Sequence, residues 1–284
     1  MKTRRKIFIC LIFALCTIQI FSENTQAVTK KKNGGRATVK ELHITNETNT
    51  IYGKLFSPKT DEKCPAVIMS HGYNGCHTDF FDDARFFATN GYVVYCYDFC
   101  GGSTRSLSTG SSTDMTIHSE KSDLTAVVNY IKELPNVDEK RIYLLGASQG
   151  GLVSALVADE LPDVIKACAL YYPALCIPDN WRDRYPEDKD IPATNNFWGL
   201  TLSREFFVDV KKIDITRDTG KYSGPVLIIH GDSDEIVPLW YSEDAVKRYA
   251  DAALKVLAGE RHGFSPSGAA TARETVLEFF NSTK

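Results

Sequence analysis

Polar and apolar residues alternate over 38–44 and again over 51–56, with Asn46 to Asn49 between, which predicts two antiparallel strands joined by a tight turn. Past residue 57 the pattern changes. Short unbroken apolar runs at 66–70, 92–97, 141–145, 165–171, 225–229 and 254–257 alternate with stretches of helical periodicity at 80–89, 120–134, 150–161, 242–250 and 271–280. Runs of that kind are strands buried on both faces, so the chain is expected to fold as an α/β protein. Its sheet should be mainly parallel and twisted, with helices on both sides. Ligands of such sheets sit beyond the carboxyl ends of the strands.

The alternation breaks once, over 176–223, a stretch too long for a simple strand-to-helix connection. It carries Trp181, Tyr185, Phe197, Trp198, Phe206 and Phe207 among many charges. The reading is a cap insertion after the sixth strand, with short helices of its own, in which Trp181, Phe197, Trp198 and Phe207 face a substrate. The competing reading is a surface excursion that its aromatics merely anchor.

The first residues follow a different logic. Lys2, Arg4, Arg5 and Lys6 precede an apolar run from Ile7 to Phe21, broken by Thr17 and Gln19 and followed by polar residues and Ala27. A run of that length is short for a bilayer span, which takes about 20 residues, and it has the layout of a signal peptide over 1–27. Thr25 and Ala27 suit the positions before a cut, with Ser22 as a rival site. A Gly-containing linker over 28–36 leads into the domain at 37–284. The expected location is secreted or cell-envelope, with a membrane partner only if the segment stays uncleaved.

Composition is that of a globular protein, 43% hydrophobic and 24% charged. Removing residues 1–27 takes four of the 33 basic residues and one of the 36 acidic ones, leaving 29 against 35 and an acidic domain. No clustered basic face suggests nucleic acid. Six of the eight cysteines follow residue 27, at 64, 76, 96, 100, 168 and 176. Their spacing suggests no zinc site, and no other metal is implied. Buried thiols and disulfides both remain open, with Cys76 and Cys100, in loops near one sheet edge, as the first candidates for a bridge.

Gly146-Ala147-Ser148-Gln149-Gly150 follows an apolar strand and opens a helical pattern. A sharp strand-to-helix turn presents the serine hydroxyl to the pocket, and glycines on either side relieve the crowding it creates. A serine needs a base to take its proton. His262, in the loop after the last strand, fits that role better than His43, His118 or His77, the last being the spatial competitor. A carboxylate must then orient the imidazole. Asp232, Asp234 and Glu235 all follow the strand at 225–229, and spacing does not choose among them. Backbone donors for a negative oxygen are expected at Gln149 and, in His71-Gly72-Tyr73-Asn74-Gly75, at Tyr73, with His71 in a structural role.

Together these segments resemble the α/β-hydrolase superfamily, and within it the small bacterial feruloyl and cinnamoyl esterases. The resemblance implies that Asp234, in the His-Gly-x-x-Asp-x-x-Val-Pro pattern, is the acid, that the His71-Gly72-Tyr73 loop is the oxyanion loop, and that His262 with Gly263 is the late histidine loop. Two positions depart from it. Cys100 stands where an arginine is usual in the loop that Asp98 opens, and Ala147 stands where a histidine often precedes the nucleophile. Dienelactone hydrolases with a cysteine nucleophile and aspartate-dependent dehalogenases of the superfamily are argued against by Ser148.

The expected activity is hydrolysis of a small-molecule or polysaccharide-linked carboxylic ester through an acyl-enzyme, with aromatic or short acyl groups and no cofactor. A peptidase or lipase of the same superfamily is the alternative, and a non-catalytic exported binding protein is the alternative of another class.

Overall fold

The computed structural model of the chain describes residues 37–283. The signal-peptide and linker readings at 1–27 and 28–36 lie outside the described residues. The elements run in the order β1 (Thr38–Asn46), β2 (Asn49–Ser57), β3 (Cys64–Ser70), α1 (Phe81–Thr89), β4 (Val93–Tyr97), α2 (Ile117–Lys132), β5 (Val137–Ala147), α3 (Gln149–Glu160) and β6 (Ile165–Tyr171). There follow α4 (Ile177–Arg184), the short strands β7 (Thr194–Phe197) and β8 (Leu200–Ser203), α5 (Arg204–Lys211) and α6 (Ile215–Asp218). The chain then returns through β9 (Val226–Gly231), α7 (Trp240–Arg248), β10 (Ala252–Leu257) and α8 (Pro266–Ser282).

Eight strands form one sheet in the order β1-β2-β4-β3-β5-β6-β9-β10. Strands β1 and β2 are antiparallel, as is the β2/β4 pair, and every other pairing is parallel. The parallel strands at the centre are apolar because both faces are covered: all seven residues of β3 and all five of β4 are buried. Successive side chains take opposite sides of the sheet. Ala66 and Ile68 join Leu144, Val153 and Val127 in one core, whereas Val67 and Met69 join Tyr143, Phe87 and Phe280 in the other. Strand β1, at the edge, exposes most of its residues, Lys40 and Glu41 among them, and charge of that kind discourages pairing with another chain.

Helix α8 starts earlier than its hydrophobic periodicity at 271–280. Ser265 caps it by accepting from the Gly268 amide at 3.1 Å, and Pro266 takes the first helical position, where a missing N–H costs nothing. Residues 177–218 form α4, the β7/β8 hairpin, α5 and α6 between β6 and β9.

The cysteines take one of the two states their spacing left open. Cys76 and Cys100 are free buried thiols, as are Cys64, Cys96, Cys168 and Cys176. The Cys76 Sγ contacts Thr78 Oγ1 at 3.1 Å, and the Cys100 amide donates to Asp123 Oδ2 at 2.8 Å. Among the described residues no helix is long and apolar enough to cross a membrane.

Candidate active site

Strand β5 ends at Ala147 and α3 begins at Gln149, so the direction change falls on one residue. Ser148 takes φ 52° and ψ −118°, a region that L side chains avoid. Its surroundings hold it there. The Ser148 amide donates to Tyr171 O at 2.9 Å, and its carbonyl accepts from Gly151, Leu152 and Ala174. The neighbouring glycines are obligatory: a Cβ on Gly146 would lie 2.3 Å from the Gly150 carbonyl oxygen, and one on Gly150 would lie 2.2 Å from that of Ser70.

The loop after β10 brings His262 to this serine, with Nε2 3.0 Å from Ser148 Oγ and Nδ1 2.8 Å from Asp234 Oδ2. The Tyr172 ring packs on the imidazole at a centroid distance of 4.6 Å. Of the three acids left open by spacing, only Asp234 meets the histidine. Asp232 binds the Gly259 amide, and Glu235 pairs with Arg261 at the surface. The Asp234 side chain is fully buried, and burial alone would raise its pKa. The Val237 and Ile236 amides, at 2.9 and 2.8 Å on Oδ1, together with His262, reverse that and leave the carboxyl below its ordinary value. The ion is therefore the resting form, ready to accept from Nδ1–H.

Sequence reasoning assigned nothing to His230, yet it is a fourth member of this network. Its Nε2 lies 3.1 Å from Asp234 Oδ2 and 3.1 Å from the Val237 carbonyl, while Nδ1 contacts Ser242 Oγ at 2.7 Å. Two acceptors at Nε2 assign the proton there, so the serine hydroxyl donates to Nδ1. Burial keeps the imidazole below the usual histidine range, hence neutral. The signal was its position four residues before Asp234, at the carboxyl end of β9.

The loop after β3 presses on the nucleophile from the other side. A Cβ on Gly72 would stand 3.1 Å from Ser148 Cβ. Among the described residues the amides of Tyr73 and Gln149 donate to no protein acceptor, which leaves both available to an oxyanion. The Tyr73 hydroxyl donates to the Phe197 carbonyl at 2.7 Å, and Asn74 Nδ2 donates to the Trp198 carbonyl at 3.2 Å, tying this loop to the β7/β8 hairpin. His71 is structural: Nδ1 donates to Gly72 O at 2.7 Å and Nε2 accepts from the Phe99 amide at 3.1 Å. His77 is no competitor for the serine, since Asp98 holds its Nδ1 at 2.8 Å. Cys76, His77 and Asp98 bring three ligand-type atoms within 4.8 Å of one another, but Asp98 already accepts from the amides of His77 and Leu107.

Two cavities meet at Ser148, Tyr73 and Trp198. The larger, about 570 Å³, is lined by Gln149, Trp181, Phe197, Phe206 and Ile236 among others. Phe207 was expected there and is absent. It is fully buried, edge-on to Trp181 at 4.6 Å, and Phe206 takes the lining position, because consecutive residues on α5 point about 100° apart. The smaller cavity, about 320 Å³, lies on the histidine side and is lined by His262, Tyr172, Phe264, Asp79 and Asp83. Burial pushes the Asp83 carboxyl up to about 6 against the pull of Arg273.

A family model described as "Dienelactone hydrolase family" matches residues 51–282. The chain belongs to that family. Ser148 was read as an argument against the cysteine-dependent dienelactone hydrolases, but the match is to the family that bears their name, so the nucleophile alone does not exclude membership. The family member is 29% identical to Est1E from Butyrivibrio proteoclasticus in its ferulic-acid complex. That likeness has a TM-score of 0.76 and covers 85% of this chain and 98% of that one. It is 30% identical over 152 residues to "Esterase FrsA" from Vibrio cholerae, covering 53% of this chain and 34% of the relative. The chain thus spans about a third of the length of the curated relatives it first matches. The fold also matches acetyl xylan esterase 1 from Thermoanaerobacterium sp. JW/SL YS485, at 21% identity and a TM-score of 0.66, over 86% of this chain and 84% of that one.

Proposed function

We propose that this chain is a serine carboxylic-ester hydrolase working through an acyl-enzyme. The observation that carries the reading is the relay of Ser148 Oγ, His262 Nε2 and Nδ1, and Asp234 Oδ2, at 3.0 and 2.8 Å, at the junction of two cavities. His262 takes the Ser148 proton as the oxygen attacks the ester carbonyl. The amides of Tyr73 and Gln149 hold the resulting oxyanion, and His262 returns the proton to the leaving alcohol. Water then repeats the sequence and frees the acid. Asp234 keeps the imidazole in the Nδ1–H form and stabilises the cation formed on each transfer.

The two cavities divide the substrate. The leaving alcohol must reach His262, which lines only the smaller one, so the acyl group belongs in the larger, aromatic one. Trp181, Phe197, Trp198 and Phe206 suit a flat aromatic acyl chain, and likeness to a ferulic-acid complex supports the same class. Asp79, Asp83 and Tyr172 suit a hydroxylated alcohol, whether free or polysaccharide-linked. Residues 177–218 then act as a cap. Export rests on residues 1–27, and cell fractionation that leaves the protein wholly in the cytoplasm would overturn it.

The test is a panel of feruloyl, cinnamoyl, acetyl and decanoyl esters against the wild type and Ser148→Ala, with a fluorophosphonate label. Turnover and labelling are expected only with Ser148 present, with the highest kcat/KM on cinnamoyl-type acyl groups. Undiminished turnover by Ser148→Ala would overturn the assignment.

A further inference from the structure

Gln149 has two ends with different surroundings. Its amide stands beside the nucleophile, while its side chain is committed inside the protein, where Nε2 donates to both carboxyl oxygens of Glu120 at 2.9 and 2.8 Å. Gln149 is 2% exposed and Glu120 1%. Glu120 lies in the first turn of α2, a helix packed against α3, so the contact joins two elements through buried polar atoms. Nothing in the triad uses this acid.

The groups around it offer no counter-charge. Asp123 lies one turn further along α2, the phenols of Tyr97 on β4 and Tyr73 in the oxyanion loop are near enough to feel its charge, and a Cβ on Gly102 would lie 3.5 Å from Oε1. Among the described residues Glu120 makes no ion pair. Burial, reinforced by Asp123 and opposed by Gln149, pushes the carboxyl up to about 8.

We propose that Glu120 is a positioning residue for the acyl-transfer step, anchoring the Gln149 side chain and thereby fixing the Ser148–Gln149 peptide whose N–H receives the oxyanion. This rests on the ester-hydrolase reading of Ser148. The direction of a backbone donor matters because its hydrogen bond strengthens only as the carbonyl oxygen becomes negative, so a loosened peptide lowers kcat more than it alters binding. Charge matters too. A neutral acid still accepts from Nε2 through its carbonyl oxygen and does not oppose the oxyanion, whereas a carboxylate behind the Gln149 side chain, in surroundings that screen poorly, repels it. Ionisation of Glu120 therefore sets an alkaline limb on kcat.

The experiment measures kcat and KM for p-nitrophenyl acetate from about pH 6 to about pH 10 in the wild type, Glu120→Gln and Glu120→Ala, with Ser148→Ala as the blank. Rates are expressed per active site titrated by fluorophosphonate, so misfolded molecules do not count. The wild-type kcat is expected to fall above about pH 8, and Glu120→Gln to retain kcat at pH 7 within about threefold and to lack that fall. Glu120→Ala is expected to lower kcat about tenfold or more with KM altered less than about threefold. An alkaline fall preserved in Glu120→Gln, or wild-type kcat per titrated site in Glu120→Ala, overturns the proposal. Should Glu120→Ala not fold, the Glu120→Gln profile decides. A Ser148→Ala variant as active as wild type would overturn the underlying reading instead, and the two failures are separate measurements.

Discussion

Asp234 accepts from four donors, the imidazoles of His262 and His230 and the amides of Ile236 and Val237. That set makes two substitutions informative. Asp234→Asn keeps the volume but offers His262 a donor in place of an acceptor, so the ring loses its Nδ1–H form. We expect kcat to fall by about 10⁴-fold with KM little changed. His230→Ala removes one donor and leaves Ser242 Oγ and the Val237 carbonyl without their partner. Its expected cost is about 1–3 kcal/mol of stability in urea unfolding, with a smaller loss of kcat than Asp234→Asn. A His230→Ala variant as slow as Asp234→Asn would mean that His230 belongs to the proton path. Ser148 was legible in the sequence because the turn that exposes it is built from five adjacent residues. His230 and Glu120 were not, since their partners depend on how β9 meets α7 and how α2 lies on α3, and no local pattern records either.

Among elements, the β7/β8 hairpin carries Phe197 and Trp198, stacked at 4.6 Å, with Trp198 61% exposed at the tip and at φ 44°. A side chain that exposed contributes little to folding but forms a wall of both cavities. Trp198→Ala is expected to leave Tm unchanged and to raise KM for a cinnamoyl ester about tenfold, the loss of one aromatic contact, while KM for an acetyl ester changes little. Equal effects on both esters would argue that the large cavity does not take the acyl group. The sequence located this insertion between strands and named its aromatics, but assigned Phe207 to the substrate in place of Phe206. With both residues apolar and adjacent on α5, only the packing of α5 on α4 decides which one faces the cavity. The start of α8 was missed for another reason: Ser265-Pro266-Ser267-Gly268 has loop composition, yet a serine cap followed by proline is also how helices begin.

At the scale of the whole molecule, the mainly parallel sheet and its two covered faces followed from the strand and helix alternation, because parallel strands buried on both sides read as unbroken apolar runs, whereas the strand order is set by pairings between distant segments that no alternation records. Buried acids give the molecule a pH dependence of folding that no alternation discloses. Glu120 and Asp83 are held at about 8 and about 6, above ordinary values of 4.5 and 3.8. A group raised in this way favours the folded state fully below its unfolded value, and that advantage is lost as pH climbs through the folded value, since the unfolded chain releases its proton first. Stability of Glu120→Gln relative to wild type should therefore increase from about pH 4.5 to about pH 8 and level off beyond, as read from urea midpoints. A constant difference across that window would place the Glu120 carboxyl in its ordinary range.

On the ester-hydrolase reading, the bond from Tyr73 to Phe197 has a consequence for how this protein can change. One residue supplies a backbone donor beside Ser148 and, through its hydroxyl, a strut to the wall of the larger cavity. Fit and turnover therefore share a single support. Remodelling the hairpin to admit a larger acyl group disturbs the donor that the reaction relies on, so variants selected for broader acceptance should arrive slower, and should regain speed through second changes in the 71–75 loop rather than in the cavity itself.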